Sequence, residues 1–232
     1  RGFCFLVIRL AFDIIHLMSN QPLPGKLILV RHHESTLNQK GVWTGRTDVP
    51  LDVYGREKSE EMGKLIRDQH IDQAIISPLI RTSETLKEME KGMGESNIPI
   101  SVSPEITERD YGDYTGKNKW EIKDLVGEEE WKEIRRGWNH PVPNGETLKM
   151  VYERSVPFYL GTILPMLERE QTVLVVAHGN SLRSILKYIK NISDSEIGDF
   201  EFSFGTIMII KVDEAGHLLN EEIRKVESHV NA

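Results

Sequence analysis

The chain has 232 residues, 39% of them apolar and 28% charged, with a formal net charge of −7. That length fits one domain with an appended segment, and the acidic balance speaks against non-specific nucleic-acid binding. A single cysteine, Cys4, excludes an intramolecular disulfide and any multi-cysteine metal site, and fits a reducing compartment.

Residues 1–25 do not share the pattern of the rest of the chain. Residues 3–18 are largely apolar, but Arg9, Asp13 and His16 interrupt them. The run is too short and too charged for a membrane span and matches a signal peptide only loosely. It reads as an N-terminal extension outside the fold, with Met18 as a start that would suit it. A membrane-proximal anchor is the alternative.

The fold opens on Lys26-Leu27-Ile28-Leu29-Val30-Arg31-His32-His33-Glu34-Ser35. Four apolar residues in a row, Leu27, Ile28, Leu29 and Val30, read as a short buried strand. The run stops at a guanidinium and two imidazoles. In open α/β sheets, ligands bind in the crevice at the carboxyl ends of the strands. A guanidinium there suits an anion such as phosphate, and a neutral imidazole is a nucleophile at physiological pH.

Residues 34–42 turn polar, and 43–51 read as a loop in which Thr44 and Gly45 offer a hydroxyl and a backbone N–H; on their own these two read as a plain turn with no ligand. Residues 55–70 have helical spacing, with Met62, Leu65 and Ile66 inward and Glu60, Glu61 and Lys64 outward. Residues 71–76 form the next strand, which ends at Ser77-Pro78-Leu79-Ile80-Arg81-Thr82. Pro78 is placed early in the next helix, where its missing N–H is not needed. Leu79, Leu86 and Met89 give that helix its buried face. Arg81, about one turn in, either leans back over the strand ends or is a surface charge.

Residues 91–96 form a loop and 100–102 a short strand. In the charged cluster at 105–112, Glu108 is placed for proton transfer, a solvated glutamate being the plainer alternative. Residues 118–126 and 128–136 read as two short helices anchored by Trp120, Ile122, Leu125, Trp131 and Ile134. The second ends in Arg135-Arg136, which either offset the helix dipole or clamp a carboxylate or second phosphate. Residues 138–143 form a loop. Residues 146–168 are the longest helical pattern, with Val151, Val156, Tyr159, Ile163 and Leu167 on one side, bent or broken by Pro157 and Pro165.

Thr172-Val173-Leu174-Val175-Val176-Ala177 repeats the grammar of the first strand. It ends at His178-Gly179-Asn180-Ser181, and the next helix has Leu182, Ile185, Leu186 and Ile189 on one face. A lone histidine is usually structural. Two at matched strand ends, one beside an arginine, favour a shared anion site, to which backbone N–H groups at the helix starts add. Residues 193–199 read as a short helix with Ser193 as cap and Glu196 as its box partner. Residues 206–212 are strand, 213–216 a turn, and 217–223 the return strand. The chain has no internal repeat, low-complexity segment, phosphate-binding P-loop or dinucleotide fingerprint. The expected fold class is α/β: a three-layer sandwich over 26–232, with a mostly parallel central sheet flanked by helices on both faces.

From about residue 26 to 223 these motifs resemble the histidine phosphatase superfamily, and within it the cofactor-dependent phosphoglycerate mutases. Arg31-His32-x-Glu34-Ser35 is similar to the family's Arg-His-Gly-Glu-Ser signature. Asn38 and Thr44-Gly45 match the polar residues after it, and Arg81 falls at the second arginine. Glu108-Arg109-x-Tyr111-Gly112 resembles the acid/base segment. Lys119, Arg135-Arg136 and His178-Gly179-Asn180-Ser181 complete the match, and Glu108-Arg109-Asp110-Tyr111-Gly112, Lys119 and the paired arginines are more typical of mutases than of phosphatases.

The resemblance implies an isomerase of glycolysis and gluconeogenesis. It would interconvert 3-phosphoglycerate and 2-phosphoglycerate through a phosphohistidine primed by 2,3-bisphosphoglycerate. By resemblance His32 is the nucleophile, Arg31, Arg81 and His178 stabilise the transition state, and Glu108 moves the substrate hydroxyl proton. Asn38, Thr44, Gly45, Tyr111, Lys119, Arg135, Arg136, Gly179 and Asn180 would hold the substrate. The same resemblance implies no metal, small phosphoglycerates as partners, no nucleic acid or membrane, a monomer or homodimer, and a cytoplasmic location. A histidine-nucleophile phosphomonoesterase and an inactive phospho-ligand-binding protein are the alternatives.

The sequence departs from the pattern in two places. His33 stands where the signature has glycine, which brings in a bulky side chain and a competing nucleophile. The loop at 137–146 and the tail after 223 are shorter than in the longer mutases, which leaves oligomeric state and water exclusion open. Pro143-x-Gly145-Glu146 also occurs in phosphatase relatives.

Overall fold

The computed structural model describes residues 22–227, so most of the extension expected over 1–25 lies outside the described residues. Its last residues pack on the domain. Leu23 is buried and gives its N–H to the Val212 carbonyl at 2.8 Å, and the Gly25 N–H reaches Leu167 O at 3.0 Å.

A six-stranded sheet runs β3-β2-β4-β1-β5-β6, with β1 Lys26–Arg31, β2 Gln73–Ile76, β3 Ile100–Val102, β4 Thr172–Ala177, β5 Thr206–Val212 and β6 Leu218–Lys225. Strands β3, β2, β4 and β1 are parallel; β5 and β6 pair antiparallel, so the sheet is mostly parallel as expected. The consecutive apolar runs of β1 and β4 are buried on both faces, which is why they lack polar alternation. Leu27, Leu29, Val173 and Val175 face one core. Ile28, Val30, Leu174 and Val176 face the other.

Helices α1 (Val53–Leu65) and α2 (Ile80–Met93) cover the second core. They approach so closely that a Cβ on Gly63 would lie 2.1 Å from Met89 O, and one on Gly92 would lie 2.0 Å from Glu60 O. Helices α3 (Lys119–Val126) and α4 (Glu128–Arg136) form a separate unit with its own small core of Trp43, Tyr111, Ile122, Trp131 and Ile134. Helices α6 (Leu164–Glu168) and α7 (Gly179–Ile189) carry the first core, and α5 (Leu148–Phe158) packs against α7 with Phe158 at the edge of that core.

The structure corrects several expectations. Helix α1 ends at Leu65 rather than near residue 70. Pro78 lies before α2, which starts at Ile80 after an extended Leu79; Asp48 Oδ1 takes the Ile80 N–H at 2.7 Å. Trp120 and Leu125 do not anchor α3, being 55% and 79% exposed; only Ile122 of that helix is buried. The helical pattern at 146–168 runs unbroken from Leu148 to Glu168. A π-turn at Tyr159–Ile163 joins α5 to α6, the Leu164 N–H reaching back five residues to Tyr159 O just before Pro165. Residues 193–199 form turns instead of a helix. The Ser193 and Glu196 bonds are made and the Ile197 N–H reaches Ser193 O at 3.2 Å, but the Asp199 N–H turns to Glu196 O, three residues back, instead of Ser195 O.

Candidate active site

The register of β1 on β4 pairs Arg31 with Ala177, so the next residues, His32 and His178, leave the sheet side by side. The His32 N–H donates to Ala177 O at 2.9 Å, extending the ladder one step. The ring centroids lie 5.0 Å apart. They sit at the carboxyl ends of adjacent parallel strands, where α/β sheets form ligand crevices.

The tautomer of His32 is set by its partners. Its Nδ1 lies 2.7 Å from the His33 carbonyl, which can only accept, so Nδ1 carries the proton. The Arg81 Nε–H donates to His32 Nε2 at 3.3 Å, consistent with a lone pair there. Burial, then the charges of Arg81 and Arg31, hold His32 well below the ordinary imidazole value. Nε2 is therefore an unprotonated nitrogen beside two cations, the state a nucleophile on phosphorus needs.

Arg81, the second residue of α2, is 1% exposed and is no surface charge. Its Nη1 donates to Thr47 O and its Nη2 to Gly45 O, both at 2.9 Å. Arg31 lies over the Phe204 ring, its guanidinium carbon 3.8 Å from the centroid, and donates to Phe202 O at 2.9 Å. Burial lowers both guanidinium groups to about 10, which leaves them charged at neutral pH.

Burial and the Arg81 charge also hold His178 well below the ordinary value. Its Nε2 lies 2.7 Å from Ser77 Oγ, at the end of β2. Nothing in the sequence marked Ser77, because only the order β2-β4-β1 brings it to His178.

Glu108 is held from one side. Its Oε1 accepts the Arg109 N–H at 2.7 Å, the Asn180 N–H at 3.2 Å and Asn180 Nδ2 at 3.1 Å. Asn180 Nδ2 also reaches the Tyr111 hydroxyl at 3.1 Å, and Tyr111 stacks on Trp43. Arg183 fixes that amide, its Nη1 donating to Asn180 Oδ1 at 3.1 Å. Arg183 lies one turn after Asn180 on α7, so helical spacing from the His178 motif was the signal for it.

Most of these groups line one open cleft. It brings together Arg31, His32, Asn38, Thr44, Gly45, Arg81, Glu108, Tyr111, Lys119, Arg135, Arg136, Gly179 and Asn180; His178 packs behind His32 instead of lining it. His33 is outside it. Val42, Trp43, Arg183, Glu201 and Phe202 complete the lining and were not expected. Glu201 and Phe202 lie in an irregular segment with no pattern to mark them.

Lys119, the first residue of α3, is lowered to about 8 by burial and by Arg135 and Arg31. Arg135 lies over Trp131, and Arg136 pairs with Glu201 at 3.1 Å. Among the described residues, six cationic ones thus meet two carboxylates, Glu108 and Glu201, in the cleft of a chain whose net charge is −7. Arg31 Nε, Thr44 Oγ1 and His178 Nδ1 are buried without a hydrogen-bond partner among the described residues, and buried polar atoms are normally paired. A phosphorylated anion fits this donor set.

Residues 27–222 match the family Histidine phosphatase superfamily (branch 1). Among curated relatives, a 2,3-bisphosphoglycerate-dependent phosphoglycerate mutase of Parvibaculum lavamentivorans is 34% identical over 203 residues, covering 87% of this chain and 97% of the relative. One of Methanococcus vannielii, with the same name, is 35% identical over 215 residues, covering 82% and 92%. Among solved structures, the alpha-ribazole phosphatase of Shigella flexneri superposes with a TM-score of 0.70 at 22% identity, covering 88% of this chain and 96% of its own. That likeness concerns the fold.

Proposed function

The chain belongs to the histidine phosphatase superfamily, branch 1, and on that premise we propose that it is a phosphoglycerate mutase interconverting 3-phosphoglycerate and 2-phosphoglycerate. The observation that carries the reading is the second set of cations. Lys119, Arg135 and Arg136 line the same cleft as His32, Arg31 and Arg81. One phosphate needs only the latter group, whereas a phosphorylated acid that swings between two orientations needs both ends held. The names of the curated relatives agree with it.

In this mechanism His32 Nε2 attacks phosphorus, and an N–P bond forms as the P–O bond to the leaving oxygen breaks. Glu108 delivers the proton that oxygen takes. In the return step Glu108 removes the proton from the acceptor hydroxyl, the new P–O bond forms and the N–P bond breaks. Arg31 and Arg81 would offset charge on the transferring oxygens without moving, which is where phosphoryl transfer gains most, while His178, packed behind His32, would back the nucleophile. Asn38, Thr44, Gly45, Gly179 and Asn180 line the phosphoryl end, and Tyr111, Lys119, Arg135 and Arg136 hold the remainder. 2,3-Bisphosphoglycerate would supply the priming phosphoryl group, held by the same two cation sets.

A phosphomonoesterase on the same site is the second reading. The Glu201–Arg136 pair favours it by offsetting one of the cations that a second anionic group would use. The experiment is to supply 3-phosphoglycerate with and without 2,3-bisphosphoglycerate and measure 2-phosphoglycerate and inorganic phosphate together. Cofactor-stimulated isomerisation is expected; phosphate release without isomerisation would move the protein to the second reading. His32→Ala is expected to lose both products and the labelled phosphoenzyme. Activity retained by that variant would remove His32 as the nucleophile.

A further inference from the structure

His33 is wholly buried, yet it does not line the cleft. Its ring packs 5.5 Å from Phe204 and 5.6 Å from Tyr54. Its φ is not in the left-handed region, so an ordinary side chain fits this backbone without strain. Its Nδ1 accepts the Glu34 N–H at 2.8 Å, which puts its own proton on Nε2.

Two connections lead from this side chain to the site. The first runs through one peptide plane. The Glu34 N–H and the His33 C=O belong to the same rigid amide and point in opposite directions. Fixing that N–H on the imidazole of His33 therefore fixes the direction of the carbonyl, and it is this carbonyl that holds Nδ1–H of His32 at 2.7 Å. The second runs through Phe204. That ring lies 3.8 Å below the Arg31 guanidinium and is packed by His33 at an interplanar angle of 31°.

We propose that His33 is a positioning residue. Its imidazole locks the 33–34 peptide so that His32 keeps the Nδ1–H tautomer and presents Nε2 to the cleft, and its ring supports the Phe204 platform under Arg31. His33 is not a second nucleophile: its Nδ1 is occupied and its side chain lies outside the cleft. It must stay neutral to do this, because a proton on Nδ1 removes the acceptor. Burial, with the nearby Arg31 and Lys58 charges outweighing Glu61, lowers it to about 4. The catalytic consequence rests on the reading of His32 as the nucleophile; the tautomer does not.

Three variants separate the two connections. His33→Asn keeps an acceptor where Nδ1 was and loses the ring. His33→Phe keeps a ring and loses the acceptor, and His33→Gly loses both. The tautomer of His32 is read from the side-chain 15N shifts, and the phosphorylation rate from labelled 2,3-bisphosphoglycerate. Wild type and His33→Asn are expected to show the Nδ1–H form of His32. His33→Phe and His33→Gly should show mixed tautomers and phosphorylate more slowly, by about 10-fold to 100-fold, the scale of a misplaced reacting group. A wild-type His32 spectrum and rate in His33→Gly would overturn the proposal. So would equal losses in the Asn and Phe variants that track melting temperature alone, since that is generic packing. A single tautomer in wild type with no label incorporated would instead refute the nucleophile reading, while the variants still decide the role of His33.

Discussion

The imidazoles of His32 and His178 meet at 62°, edge to face, with centroids 5.0 Å apart, and both are held neutral. Burial is the main cause, and Arg81 adds to both. Two imidazolium ions could not share this place with two guanidinium groups. Neutrality is therefore a property of the assembled site, and it makes the fold sensitive to acid.

The unfolded chain protonates these rings near pH 6.5, and the folded chain does so only well below it, so between those values the unfolded state binds more protons. Stability is full above about pH 6.5 and falls as the pH drops, with His33 adding to the loss down to about 4. Thermal melts at about pH 7.5 and 5.0, on either side of the free imidazole value, should show the lower melting temperature in acid. Part of that loss should vanish in a His32→Ala variant. Equal melting temperatures would contradict the buried neutral state.

Glu108→Gln tests proton transfer with little change in shape. Glutamine keeps an Oε1 for the N–H groups of Arg109 and Asn180. We expect kcat to fall by about 10²–10⁴-fold, the usual worth of a general acid/base, with the melting temperature nearly unchanged. Wild-type turnover in that variant would assign the proton to another group.

Lys119 gives an alkaline prediction. At about 8, its ammonium begins to lose its proton in the empty cleft just above neutral pH. A bound anion favours the charged form, so substrate binding above about pH 8 should be accompanied by proton uptake, and KM should rise with pH there. Calorimetric titrations in two buffers of different ionisation enthalpy measure the uptake. Lys119→Met should abolish it; persistence of the uptake would assign it elsewhere.

Glu201→Gln releases Arg136 from its ion pair. The pair is partly exposed, at 19% and 38% for the two side chains, so its worth lies in the range of about 0–1 kcal/mol. That corresponds to at most about a fivefold fall in KM for a phosphoglycerate, with kcat unchanged. A rise in KM would show that Glu201 holds Arg136 in its productive place.

The strands that end in chemistry could be read from the chain alone. Two consecutive apolar runs, one stopping at Arg31-His32 and one at His178, were legible as buried strands because a strand covered on both faces needs no polar alternation. The Arg31-His32 and His178-Gly179-Asn180 motifs were legible because their residues are neighbours in the chain. What those residues touch was set by the packing of the whole domain. Ser77 reaches His178 only through the strand order, and Glu201 reaches Arg136 only because an irregular segment crosses the end of α4. The same cause defeats local pattern elsewhere. The capping pair of Ser193 and Glu196 formed, but the chain after it closes as turns, with the Asp199 N–H on Glu196 O while Arg183 from α7 holds the carbonyls of Ile197 and Phe200. Trp120 and Leu125 look like anchors in a run of apolar residues, yet α3 turns only Ile122 inward. Local pattern fixes where a chain buries itself and where it stops. Which groups meet at the stopping points depends on register and strand order, because those set contacts between residues far apart in the chain.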